Sequence, residues 1–464
     1  MRFMASKHIS RRRLILLLGI CVLLFSAMTC QSAPVKPSPP PPFGSTGQCQ
    51  AHTTAPTTTA ATGRTLSIAV EKRPNITLCH LAAQDGTLLR HEDLTLHGDI
   101  MGQTESTLYI QQLGEAQRQP VALCAISNHD GTTRWCRKEL AYAGRDFLSA
   151  QGLLYFLGGS SIASVTVVNE QDGRILTSYR LPSDGSPQMV VSGILYVKIF
   201  RPRPTPIPFA QAGDTIESVC ALQARSGQQL WCQTFETRHI ESMAAFGNRL
   251  YLQATEVSET YYGVVFLYAL DALSGQIRWN ITLDQHNDGN FFQQLPPIFV
   301  EGDNLYASIA KCDPYGCYKP FSVLYALRTT DGIQRWRKET DPGTTIKTLM
   351  LAQNMLYTTI NKVIFESLTS TTGTYVSHDE REARSATNGS VLWSQKSPFS
   401  DQSFWSNLRV DHGMLFLLQG RALWVGQGAS GKTLWSKTSC ASSTPSKENQ
   451  CYWDAQALVW LLGT

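Results

Sequence analysis

Eight segments of thirteen residues align along this chain without a gap, and this repeat restricts the fold more than any other feature of the sequence. The segments start at Leu78, Leu123, Val165, Val219, Leu267, Leu324, Arg381 and Leu423. The ninth position is glycine in every copy, from Gly86 to Gly431, and the residue before it is always Asp, Ser or Asn. Such pairs favour tight hairpin turns, because glycine tolerates a positive φ and the short polar side chain bonds back to the turn backbone. Apolar runs flank each turn, so each unit predicts a strand, a turn and a second strand. The thirteenth position is tryptophan in six copies: Trp135, Trp231, Trp279, Trp336, Trp393 and Trp435.

A second recurring piece lies between the hairpins: a Gly or Asn, then an aliphatic residue and an aromatic, as in Gly152 with Leu154-Tyr155 and Gly302 with Leu305-Tyr306. The repeat starts are spaced by 45, 42, 54, 48, 57, 57 and 42 residues. A period of about 40–50 residues with several short strands per unit is the pattern of an all-β propeller. Eight hairpins predict eight four-stranded blades, or seven if REARSATNGSVLW at Arg381 or the first unit is not a true copy. A last strand, ALVWLL from Ala457, is expected to pair with the first blade and close the ring, leaving no open sheet edge.

LYALDALSGQIRW and LYALRTTDGIQRW resemble the PQQ-type propeller repeat, whose blades carry LYALDxxTGxxxW. The resemblance implies a PQQ-like β-propeller over residues 63–464, with the six repeat tryptophans as packing residues wedged between blades. The same repeat occurs in quinone-dependent dehydrogenases and in non-enzymatic envelope lipoproteins, so two functions follow from it. One is a binding scaffold and the other a quinone (PQQ)-dependent oxidoreductase. In the dehydrogenases the quinone stacks between a Trp and a disulfide of adjacent cysteines, beside a metal held by acidic residues. This chain has no Cys-Cys dipeptide and no CxxCH haem motif. The expectation is therefore a scaffold, not an enzyme, with no catalytic, cofactor-binding or metal-binding residue.

The 464 residues carry a formal net charge of +4, too little for a nucleic-acid binder. Their 42% hydrophobic content excludes a mostly disordered chain. Residues 1–30 read as a signal peptide or N-terminal membrane anchor. Arg2, Lys7 and Arg11 to Arg13 precede the apolar run Leu14 to Met28, fifteen residues long. AMTC, ending at Cys30, resembles a bacterial lipobox, with Ala27 and Thr29 departing from it. A lipid anchor on Cys30, an uncleaved helix and a cleaved signal all remain open, and all three export the rest. Residues 31–62 are rich in Pro and Thr and read as an extended tether to the cell membrane.

Cysteine spacing points to the same compartment. Cys124 and Cys136, and again Cys220 and Cys232, hold positions two and fourteen of their units, directly across the hairpin, where a disulfide fits. Cys312 and Cys317 bracket a short loop, and Cys440 and Cys451 a polar one. Cys79 faces His91 across its hairpin, which leaves Cys49 as its partner. Five disulfides predict an oxidising, extracytoplasmic location.

One working face is expected. From the aromatic of each Leu-Tyr strand to the next hairpin the separation runs from 7 to 24 residues, and the longest connections lie around 200–214, 311–320 and 362–380. Equivalent connections of a propeller share a face, and variable ones mark binding. These carry Arg201, Arg203, Tyr315, Tyr318 and Tyr375, residue types common in interfaces. A monomer binding a protein partner or small ligand on that face is the resulting expectation.

Overall fold

The computed structural model describes residues 64–463 apart from 73–74, 115–118, 143–146, 159–162, 183–184, 203–214, 257–263, 286–294, 314–315, 368–372, 397–405, 420–421, 440–450 and 454–457. The repeat turns show why Asp, Asn or Ser always precedes the glycine. In all eight units that side chain accepts the backbone N–H two residues on. Asp85, Asp130, Asp172, Asp331 and Asn388 do so at 2.8–3.2 Å. Ser226, Ser274 and Ser430 do so at 3.3–3.4 Å. The glycine N–H donates to the carbonyl four residues back, as Gly131 does to Ser127 at 3.0 Å. Each hairpin is thus closed by local bonds before any tertiary contact forms.

The hairpins supply the third and fourth strands of eight blades. Blade two has the simplest order: Gly98–Gln103, Thr107–Leu113, Pro120–Ser127 and Thr133–Arg137, each antiparallel to the next. Blades three to eight repeat that order. Blade one takes its first strand from the far end of the chain, Leu458–Gly463, which pairs antiparallel with Thr65–Lys72. Asn75–Ala82 and Leu88–Asp93 complete it. Both units held open by the sequence are true blades, so the count is eight. Blade eight carries an unanticipated fifth strand, Cys451–Trp453, parallel to its fourth. Helix among the described residues is one 3-10 turn, Lys138–Leu140.

First strands of neighbouring blades touch around the axis. The core lies between blades rather than within them: Leu66, Ile68, Val70 and Leu81 of blade one pack on Phe416, Leu418, Leu423 and Val425 of blade eight. Each such side chain contributes about 1.5–3 kcal/mol by leaving water.

The tryptophans join one blade to the next. Each indole Nε1–H donates to a backbone carbonyl of the following blade at 2.8–3.0 Å: Trp135 to Glu170, Trp231 to Ala272, Trp279 to Thr329, Trp336 to Ala386, Trp393 to Gly428 and Trp435 to Ala83. The ring covers the turn glycine of that blade. A Cβ on Gly86, Gly173, Gly275, Gly332, Gly389 or Gly431 would come within 2.5–3.0 Å of it. The repeat's Gly and Trp are therefore partners across the seam, not within one unit. Copy three, which lacks the Trp, uses Tyr179, whose hydroxyl donates to the Ala224 carbonyl at 2.7 Å. Copy one places Arg90, Glu92 and Leu94 at that seam instead.

Candidate functional site

Antiparallel order sends successive connections to alternate faces of the ring. First-to-second and third-to-fourth turns share one face. Second-to-third hairpins and the links between blades share the other, called here the long-hairpin face. Among the described residues, the second-to-third connections of blades four, six and seven begin as paired β-ribbons that run past the ends of their first and fourth strands. In blade seven, Met355–Ser367 stays paired with Gly373–Ser385 out to Ser367 and Gly373. The first strand stops pairing at Lys362 and the fourth at Glu380, so the ribbon continues beyond the blade. Blade six extends in the same way to Asp313 and Gly316. Blade four extends to Pro202 and Thr215.

Arg201 lies exposed on the blade-four ribbon. Tyr318 and Tyr375 lie in the strands Gly316–Arg328 and Gly373–Ser385, with side chains outside the described residues, as are Arg203 and Tyr315.

At the root of the blade-four ribbon three elements bring charges together. Glu217, 2% exposed, accepts from Lys198 Nζ at 2.9 Å, from His239, and from the Ile240 N–H at 2.8 Å. Lys198 also donates to the Ile240 carbonyl at 2.5 Å and lies over the Phe200 ring. Burial alone would raise the Glu217 carboxyl, but the bonds from His239, Ile240 and Lys198 outweigh it and hold it below its ordinary value. Ile240 sits beside a β-bulge in the first strand of blade five. The same joint recurs: Glu71 takes the Ile100 N–H at 3.4 Å and the Ser322 hydroxyl the Ile346 N–H at 2.9 Å, each beside a bulge. These contacts fasten one blade's ribbon side to the next blade's inner strand.

Blade seven is the polar one. Lys347 and Asn361 both reach Asp379, at 2.9 and 3.0 Å. Glu380 receives His378 at 3.0 Å and Ser394 at 3.1 Å. Burial pushes the Glu380 carboxyl up, and His378, Ser394 and Lys362 more than offset it. Beneath them Arg381, Glu382 and Arg384 are buried, at 5, 5 and 7% exposure. Glu382 pairs with Arg384. Arg381 lies 3.5 Å from the centroid of the Trp424 ring of blade eight. These charges went unread in the sequence, although overlaying the copies exposes them. Position one is Leu or Val in the other seven, and position four is apolar or Gly. Glu217 and Lys198 fall outside the aligned segments and gave no such signal.

The cross-strand disulfides Cys124–Cys136 and Cys220–Cys232 are present, with Cα atoms 4.1 and 4.0 Å apart. Cys79 is disulfide-bonded as well. Cys49, Cys30 and Cys440 lie outside the described residues, as do the side chains of Cys312, Cys317 and Cys451 and the whole of the expected anchor and tether. Among the described residues no three His, Cys, Asp or Glu side chains gather as a metal site, and no helix is long and apolar enough to cross a membrane.

Residues 209–345, spanning the hairpins of blades four to six, match the family model described as outer membrane protein assembly factor BamB. Among solved structures, BamB from Moraxella catarrhalis is 10% identical, with a TM-score of 0.41 over 76% of this chain and 92% of that one. Apo AztD from Citrobacter koseri is 12% identical, with a TM-score of 0.45 over 81% and 94%. A quinohemoprotein alcohol dehydrogenase from Comamonas testosteroni is 10% identical, with a TM-score of 0.43 over 74% and 67%. No curated protein sequence matches the chain.

Proposed function

We propose that this PQQ-like β-propeller is an extracytoplasmic binding scaffold, tethered to a membrane through its N-terminal segment, whose long-hairpin face takes a protein partner or a small ligand. The observation that carries the reading is the set of paired ribbons in blades four, six and seven. A two-stranded ribbon standing beyond its blade contributes little to the core. Both its edges offer unpaired backbone groups, a template for a partner. The Trp–Gly seams and buried ion pairs beneath provide a rigid base, which lowers the ordering cost of binding. Two cross-strand disulfides favour an oxidising compartment. The match to an outer membrane assembly factor points the same way.

The test is excision. Residues 363–377 are replaced by an Asn-Gly turn joining the paired Lys362 and His378, and the full-length variant is compared with the parent for partners recovered from membranes after cross-linking. The scaffold reading expects unchanged thermal stability and the loss of a specific partner. Unaltered recovery of every partner would count against it. The oxidoreductase reading is separated by adding PQQ with calcium. The scaffold expects neither stoichiometric quinone binding nor dye reduction.

A further inference from the structure

Six of the eight seams are clamped by an indole from the preceding blade, which covers the turn glycine of the next hairpin and bonds its backbone. Copies one and three lack that Trp. Arg90 and Glu92 stand against the blade-two hairpin in its place, and Tyr179 against the blade-four hairpin. Blades two and four are also the blades whose hairpins carry a disulfide from third to fourth strand. Cys79 makes no such bridge, since His91 faces it across the blade-one hairpin. Each bridge lies on the side where the indole is missing. Cys124 is buried in the apolar cluster that joins Ile76 and Leu78 of blade one to blade two. Cys220 is buried with Val165 and Val167 of blade three. Indole and disulfide both restrain the hairpin, one from the neighbouring blade and the other from within. The outer sulfurs are reachable, because Cys136 and Cys232 are exposed on edge strands.

We propose that Cys124–Cys136 and Cys220–Cys232 are redox clamps that replace the two missing indoles, so that a dithiol reductant loosens the hairpins of blades two and four selectively. A thiolate of the reductant attacks the exposed sulfur of Cys136 or Cys232. The bond to the buried sulfur breaks, and Cys124 or Cys220 leaves as thiolate and takes a proton. The second thiol of the reductant then displaces the mixed disulfide. The pair gains two electrons and two protons, and the reductant closes into its own disulfide. Blade two depends on its bridge more than blade four, because Tyr179 still covers Gly227 and bonds the Ala224 carbonyl. The inference does not rest on the scaffold reading.

The experiment uses the full-length protein at neutral pH, oxidised or treated with dithiothreitol. Alkylation of Cys136 and Cys232 by iodoacetamide scores bond breakage, and amide hydrogen exchange reads each hairpin. Reduction is expected to speed exchange in the blade-two hairpin at least about tenfold, to speed it less in blade four, and to leave blades three, five and seven unchanged. Opposite each repeat Trp stands Ala or Val, whereas His80 stands opposite Arg90. His80→Ala with Arg90→Trp therefore rebuilds the usual pair, and its blade-two hairpin should stay protected although its bridge is reduced. Equal loosening in that variant would overturn the replacement of indole by disulfide. Alkylated parent whose hairpins in blades two and four exchange as slowly as before, or whose hairpins all loosen alike, would overturn the proposal. So would bridges that resist the dithiol in the folded protein. These results come from the parent and hold even if the variant fails to fold.

Discussion

Single residues decide whether two blades meet. Gly275 has φ +70°, and a Cβ there would lie 2.5 Å from the Trp231 ring of the preceding blade. Gly275→Ala should therefore cost about 2–4 kcal/mol, combining left-handed strain with a lost seam contact. Chemical denaturation measures it, and the same substitution at Gly193, whose Cβ meets nothing within 4 Å, should cost less. His80 gives a pH prediction. It is 1% exposed, with Nδ1 on the Ser67 hydroxyl at 3.0 Å. Burial, then Arg90 and His129, lower it from 6.5 to about 4. Unfolded chains therefore bind a proton that the folded protein refuses between those values. The stability it contributes is complete above pH 6.5 and is lost as pH falls toward 4, on the order of 1–3 kcal/mol. Unfolding free energies measured from pH 7 to 4 should fall less steeply in His80→Gln.

Hairpins were the most legible elements, because their chemistry is local. The residue before each glycine bonds two positions on, so eight Asp-Gly, Ser-Gly or Asn-Gly pairs announced eight turns without any long-range information. Register followed as well: Cys124 pairs with Cys136 and Cys220 with Cys232, as the spacing required. Replacing either pair with alanines should lower stability by about 2–3 kcal/mol, and peptide mapping without reductant should recover both bridges. Ribbons were less legible. The stretch 362–380 reads as a variable connection, and only the cross-strand pairing of 362–367 with 373–378 makes those parts β. The Lys198–Glu217–His239 cluster was invisible for another reason. Its members come from three strands and two blades, joined by backbone positions that no local pattern marks. Copy seven looked weak because Arg381, Glu382 and Arg384 replace core residues, and those same substitutions make its blade the polar one.

At the scale of the molecule the ring is closed twice by distant residues. Leu458–Gly463 completes blade one, and Trp435 reaches the Ala83 carbonyl across 352 positions. Deleting 458–464 should expose an edge on Thr65–Lys72. Light scattering should report self-association, and the thermal transition should broaden or fall. A sharp, unshifted transition would mean that closure rests on side-chain packing alone.

Central to the account is that partners engage the long-hairpin face. A photo-activatable residue placed singly at Glu366 on the blade-seven ribbon, or at Asn388 on the opposite face, tests this in cells making the full-length protein. The account predicts one discrete cross-linked species from Glu366, none from Asn388, and loss of the Glu366 product when excess unlabelled protein is present. Cross-links from Asn388 alone, or none from the ribbon, would contradict it.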